Sequence, residues 1–117
     1  MSQPAVGTFN GKNTTFSGAF VAEDNLVKLD GFFNTGVVEF IVPVATLMYN
    51  KISDFDPTAT FDIELAMPPC FVGKDTIDIK FVNGSTKLPL TGLLAKEIPA
   101  RQSVTGWGKF IVIPIPA

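Results

Sequence analysis

The sequence offers few side chains that could act in catalysis. Histidine is absent from all 117 residues, which removes Ser–His and Cys–His nucleophile pairs and the commonest zinc ligand. The one thiol, Cys70, follows two prolines in a predicted turn, and Lys74 is the only cation near it in sequence. Because a reactive thiolate needs an accessible, electropositive setting, we interpret Cys70 as an unreactive, partly buried side chain.

Carboxylates are the remaining candidates for chemistry. Asp62 and Glu64 lie on one face of a predicted strand, about 6.6 Å apart along it, near the spacing of the two acids in inverting glycosidases. Alternating acids on a solvated strand face are the simpler explanation, since nothing there would tune them as an acid–base pair. Asp54 and Asp56 could ligate calcium, but turn formation before Pro57 accounts for both. We therefore predict no catalytic residue, no metal and no cofactor, and hence no enzyme.

A single tryptophan lies between two glycines, in the segment Gly106-Trp107-Gly108. Its flanking glycines would leave the ring face open for stacking. The alternative function is therefore a carbohydrate- or peptide-binding module whose site consists of Trp107 and the loops around Asp54 and Lys74. We favour a tryptophan packed in the core or in a protein interface, with the glycines making room for it. No second aromatic or polar cluster lies close to it in sequence.

Charge and hydropathy exclude other classes of partner. Net charge is −2 and the nine basic residues are scattered, so the sequence lacks the footprint of a nucleic-acid-binding protein. The longest apolar stretch, residues 40–49, is half the length of a membrane span, and we predict none. Residues 1–7 lack the basic and apolar regions of a signal peptide, which predicts a protein made in the cytoplasm.

Apolar and polar residues alternate with a period of two along much of the chain, which predicts that β-strands position the side chains discussed above. In residues 60–67 the side chains of Phe61, Ile63, Leu65 and Met67 are predicted to point inward. Residues 76–82 repeat the alternation, and Asn-Gly at 83–84 predicts a hairpin turn into a return strand over 86–90.

Further strands are predicted over 14–22, 26–33, 37–44 and 103–113, with turns at 23–25 and 34–36. Only residues 44–52 and 93–97 could hold a turn of helix. Seven or eight short strands fit an all-β, antiparallel β-sandwich of jelly-roll or immunoglobulin-like type, or a small barrel. We predict one sandwich domain over residues 1–117, with short arms at 1–7 and 113–117.

Composition suggests a role in assembly. Hydrophobic residues make up 46% of the chain, charged residues only 17%, and eleven residues are Phe. This apolar content is more than the core of a small monomeric domain is expected to bury, so part of it is expected at an interface. We predict a homo-oligomer or a subunit of a larger protein assembly and, by analogy of size and fold class alone, a virion component such as a bacteriophage capsid decoration (cement) or tail protein. The predicted interface residues are Val6, Phe9, Trp107, Phe110, Ile113 and Ile115.

Overall fold

A computed structural model describes residues 2–116, and this part of the chain is 67% strand and 3% helix. The all-β prediction is confirmed. Its eight strands are β1 (Gln3–Ala22), β2 (Asn25–Tyr49), β3 (Phe61–Ile63), β4 (Phe71–Val72), β5 (Thr76–Asn83), β6 (Thr86–Leu93), β7 (Gln102–Ser103) and β8 (Gly106–Pro114). The helical residues form a single 3₁₀ turn, Ile52–Asp54.

The strands close into a five-stranded barrel, so the small barrel named as the alternative is found in place of the predicted sandwich. The ring runs β2–β8–β3–β5–β6 and returns to β2, with every pair antiparallel. Closure depends on the length of β2, because residues 25–33 pair with β8 while residues 45–47 pair with β6. β1 pairs along β2, and β4 and β7 extend the sheet beside β5.

β1 and β2 form one long hairpin that bends back on itself. A straight strand of 25 residues would span about 80 Å, whereas the longest dimension of the molecule is 42 Å. The bend shows in the register, where Asn13 pairs with Val37 but Thr15 already pairs with Phe32. The turn predicted at 34–36 is this bend, and the strands predicted over 26–33 and 37–44 are two halves of β2.

Two tight turns form close to the predicted positions, the second of them at Gly84-Ser85, one residue after the predicted Asn-Gly pair. Glu23 and Asp24 both have positive φ, 48° and 64°, and join β1 to β2. Asn83 pairs with Thr86 across the second turn, in which Gly84 has a φ of 57°. Both geometries suit the right-handed twist of hairpin strands.

The strand predicted over 60–67 ends early. Phe61 and Ile63 are buried as expected, but β3 stops at Ile63. Leu65 and Met67, predicted to point inward, are 82% and 90% exposed. The alternation therefore continues in the sequence after the chain has left the barrel wall.

Phenylalanine rings fill the barrel. Phe110 is fully buried, with ring centroids of Phe55, Phe61 and Phe81 at 5.3, 5.2 and 6.0 Å. No polar or charged residue in the described part of the chain is buried. Phe suits such an interior because it fills space without a polar group that needs a partner.

Candidate functional site

The two acids with glycosidase-like spacing have different surroundings. Glu64 is paired with two lysines, with Oε1 3.1 Å from Lys87 Nζ and Oε2 3.9 Å from Lys80 Nζ. Asp62 is exposed on β3, opposite Trp107 of β8 and Val82 of β5. Its two lysine partners account for Glu64 as a member of a surface ion-pair cluster, so the spacing of the two acids needs no catalytic explanation.

Both loop aspartates stabilise turns. Asp54 Oδ2 accepts hydrogen bonds from the backbone N–H groups of Asn50 and Lys51, at 3.0 and 3.1 Å. Asp56 Oδ1 accepts from the hydroxyl and the backbone N–H of Thr58, at 2.7 and 2.9 Å, and these bonds lower the pKa of Asp56. Across residues 2–116 no group of three or more Cys, Asp or Glu side chains could hold a metal ion.

Cys70 is buried immediately before β4. Its Sγ donates to the Glu64 carbonyl at 3.5 Å and accepts from the Lys80 N–H at 3.4 Å. Burial raises the pKa of the thiol, and the Lys80 N–H only partly opposes that shift. Burial therefore disfavours the thiolate form of Cys70, and the side chain expected to be partly buried is found buried.

The most distinctive surface is the outer side of β1, β2, β8 and β3, here called the β8 face. It exists because Val27, Leu29 and Phe110 point into the barrel, so their neighbours along each strand point out. Strand register places its side chains in four rows: Val21–Leu26–Ile113, Ala19–Lys28–Ile111, Ser17–Asp30–Lys109 and Thr15–Phe32–Trp107–Asp62. Large apolar side chains occupy both ends of this face, Lys28, Asp30 and Lys109 lie between them, and Asp62 lies at the edge of the aromatic end.

An aromatic pair marks one end of the β8 face. The rings of Phe32 and Trp107 lie 5.2 Å apart and tilted by 44°, and they are 47% and 38% exposed. Gly106 is required by the close approach of two backbones and not by the space that the indole ring occupies. A Cβ at this position would lie 2.0 Å from the Phe32 carbonyl oxygen. The glycine therefore lets β8 approach β2 closely, which fixes Trp107 beside Phe32 on the outside.

The structure separates the predicted interface residues into two groups. Phe9 and Phe110 are fully buried in the core of their own barrel, which corrects their prediction as contact residues. Trp107, Ile113 and Ile115 are 38%, 44% and 45% exposed, and the first two belong to the β8 face. Val6 is 47% exposed but lies opposite Thr46, outside the four rows.

Sequence reasoning missed three exposed, large apolar residues of the β8 face, namely Val21, Phe32 and Ile111. Alternation about the inward Phe110 could have indicated Ile111 as an outward neighbour. Phe32 and Val21 likewise alternate with inward residues on their own strands. The missing information was which phase of the alternation faces the core.

The predicted arms are parts of the sheet. Residues 3–7 of β1 pair with residues 45–49 of β2. Ile113 pairs with Leu26, and the Ile115 N–H donates to the Asp24 carbonyl at 2.9 Å. Both segments therefore pack on their own barrel, and Met1 and Ala117 lie outside the described residues.

Comparison with known proteins gives no relative. The chain matches no protein-family model and has no significant match among curated proteins or solved structures. In the described part of the chain, no helix is long and apolar enough to cross a membrane.

Proposed function

We propose that this chain is a non-enzymatic structural protein that associates with itself through the β8 face. The setting that we propose is a virus particle, in which it would serve as a capsid decoration or tail component of a bacteriophage. The low charge content and the absence of histidine support a structural role over a catalytic one. Partner and setting are inferences from surface chemistry and fold class.

The observation that carries the proposal is the amount of apolar side chain left exposed on one sheet face. Val21, Phe32, Trp107, Ile111 and Ile113 are each between 38% and 54% exposed. Divided between the two ends of the face by Asp30 and Lys109, these five residues together expose roughly 450 Å², against about 800 Å² per partner in a standard interface. With its polar rim, the β8 face has the area of one side of a small dimer contact.

The charges on the β8 face favour a second copy as the partner. Asp30 lies opposite Lys109 in the register of β2 and β8, and Lys28 is on the next row. A two-fold axis through this middle zone would bring Asp30 of one copy near a lysine of the other. The same rotation would place apolar side chains on apolar side chains, as an isologous contact requires.

A second candidate function, carbohydrate binding, is favoured by one specific observation. Asp62, which lies opposite Trp107 in the register of β3 and β8, lines a shallow cavity of about 320 Å³ with the polar side chains of Asn34 and Thr105, and Trp107 itself is outside the lining. The Asn34 Nδ2 donates to Thr105 Oγ1 at 3.0 Å, which orients both groups. An aromatic platform next to oriented polar groups is a suitable surface for a sugar ring.

Two variants distinguish these functions. Ile111→Ser removes an apolar side chain from the centre of the β8 face, and assembly predicts a weakened oligomer with unchanged Trp107 fluorescence in the presence of glycans. Asp62→Ala alters the polar cavity, and carbohydrate binding predicts a glycan that quenches Trp107 in the wild type and much less in this variant. An unaltered oligomer in Ile111→Ser would argue against the assembly proposal.

A further inference from the structure

The dipeptide Asn-Gly occurs twice in the chain, at Asn10-Gly11 and at Asn83-Gly84. In this dipeptide the backbone nitrogen of the glycine can attack the side-chain amide carbon of the asparagine, because glycine has no Cβ to hinder the approach. The attack requires the main chain to bend toward the side chain, so its rate depends on how firmly the local backbone is held. The two sites therefore place the same chemistry in two structural settings.

The first site, Asn10-Gly11, lies within the ladder between β1 and β2. Asn10 pairs with Ile41 and Gly11 pairs with Phe40, so both residues of the dipeptide are held in the sheet. Gly11 is buried, and a Cβ there would lie 2.6 Å from the Phe40 ring. The Asn10 Oδ1 also accepts a hydrogen bond from the Ser17 hydroxyl at 3.2 Å. Bending the chain at this site would therefore disrupt strand pairing and core packing together.

The second site, Asn83-Gly84, lies where the ladder between β5 and β6 ends. Asn83 pairs with Thr86, and Gly84 and Ser85 form the turn between them. Residues 83–85 are all exposed, and no atom lies within 4 Å of the position that a Cβ would take on Gly84. Within residues 2–116, no backbone carbonyl accepts a hydrogen bond from the Gly84 N–H. The attacking nitrogen therefore has neither a backbone partner nor a steric cover.

A single hydrogen bond restrains the side-chain amide of Asn83. Its Nδ2 donates to the Thr60 carbonyl at 3.0 Å, and Thr60 is itself exposed. Water competes for both groups of such a bond, so its net contribution to holding the amide is small. The bond also has a structural role, because it joins the turn between β5 and β6 to the residue that precedes β3.

We propose that Asn83 is a site of spontaneous deamidation and that the folded barrel protects Asn10 from the same reaction. The Gly84 nitrogen bonds to Asn83 Cγ and gives up its proton, the Cγ–Nδ2 bond breaks, and ammonia leaves with that proton. Water then adds to one carbonyl of the resulting cyclic succinimide and breaks the bond from that carbonyl to nitrogen. Opening at Cγ yields aspartate, whereas opening at the backbone carbonyl yields isoaspartate.

Both products remove the hydrogen bond to Thr60. A carboxylate has no hydrogen to donate, so it would face the Thr60 carbonyl as a second acceptor. Isoaspartate also lengthens the main chain by one carbon beside a two-residue turn, whose geometry depends on loop length. The reaction therefore adds one negative charge and releases the turn from the start of β3. This inference does not depend on the function proposed above.

Incubation of the full chain at mildly alkaline pH tests the assignment, because base removes the proton of the attacking nitrogen. Mass spectrometry of the peptides that contain positions 10 and 83 follows the exchange of NH₂ for OH at each site. We expect the folded protein to convert Asn83 several-fold faster than Asn10. The same chain in urea is the matched control, since neither dipeptide is then held and the two rates should approach each other.

The two rates decide the proposal. It would be overturned if Asn10 reacted as fast as Asn83 in the folded protein, or if Asn83 reacted in urea but not in the fold. A ratio of rates that urea leaves unchanged would overturn protection by the barrel, because flanking residues alone would then set the rates.

The variant Asn83→Asp tests the structural consequence, since it reproduces one product directly. We expect faster hydrogen–deuterium exchange than in wild type in the peptide that contains residues 83–86, because the bond to Thr60 is lost. Exchange in the peptide that contains residues 10 and 11 should be unchanged and is the internal control. Equal exchange at 83–86 in the two proteins would overturn release of the turn.

Discussion

The two sides of β8 use similar residues for different purposes. Inward, Phe110 is fully buried against three other rings. Outward, Trp107, Ile111 and Ile113 remain 38–52% exposed. The two sides do not differ in side-chain hydrophobicity. They differ because the opposite wall of the barrel covers the inner side of β8, whereas nothing in the described chain covers the outer side. The uncovered side is the part of the molecule for which a partner must be sought.

Replacing one residue on each side of β8 should give the largest contrast. Phe110→Ala leaves a cavity among Phe55, Phe61 and Phe81, and we expect it to lower the free energy of unfolding by about 3–5 kcal/mol. Ile111→Ala, one residue away, changes a side chain that is 52% exposed and should cost under about 1 kcal/mol in the monomer. Urea unfolding measures both, and similar losses would contradict the assignment of inner and outer sides.

A glycine at the close approach of β2 and β8 should give the next largest effect. A Cβ at Gly31 would lie 2.3 Å from the Trp107 carbonyl oxygen, and we expect Gly31→Ala to destabilise the barrel by roughly 1–3 kcal/mol. Gly36→Ala is the control, because the nearest atom to a Cβ there is 4.0 Å away. A Gly31→Ala protein as stable as the control in urea would refute the close packing of these strands.

The buried Tyr49 side chain of β2 allows the interior to be tested through the pH dependence of stability. Burial, and then its hydrogen bond to Glu23 Oε2 at 2.9 Å, raise the pKa of Tyr49 from 10.0 to about 12. A raised pKa in the folded state means stability that is present below pH 10 and is lost as pH rises through 10 to 12.

The matched variant for this effect is Tyr49→Phe. The difference in unfolding free energy between wild type and Tyr49→Phe should stay constant up to about pH 9 and then shift against the wild type, since other titrating groups cancel. Urea unfolding at several alkaline pH values gives this difference. A difference that does not change with pH would show that Tyr49 is not held in its neutral form.

Local features of the fold could be predicted from the sequence. The alternation in β5 and a two-residue turn before β6 appear as expected, because strand period and turn chemistry depend on near neighbours. The turn residues are Gly84 and Ser85 rather than the predicted Asn83 and Gly84. At 34–36 the sequence predicts a turn between two strands, since a bend within one long strand has the same local signal. The choice of a closed barrel over a sandwich was not predictable, because closure depends on β2 pairing with β6 and β8 at distant positions.

The candidate surfaces were predictable only in part. The sequence indicates Trp107 and Ile113 as exposed contacts but does not distinguish Phe110 from Ile111, because an apolar residue in a strand with two apolar faces could be buried on either. Leu65 and Met67 are predicted in the core because their alternation continues that of Phe61 and Ile63. Periodicity gives the relative direction of side chains along a strand but not where the strand ends or which face is covered.

The central claim, self-association through the β8 face, is tested most directly by light scattering across a concentration range. We predict a wild-type mass that is a multiple of 12.6 kDa, and a mass close to 12.6 kDa for the double variant Ile111→Ser, Ile113→Ser with its barrel intact by circular dichroism. A wild-type mass of 12.6 kDa at every concentration, or an oligomer that the double variant leaves unchanged, would contradict self-association through this face.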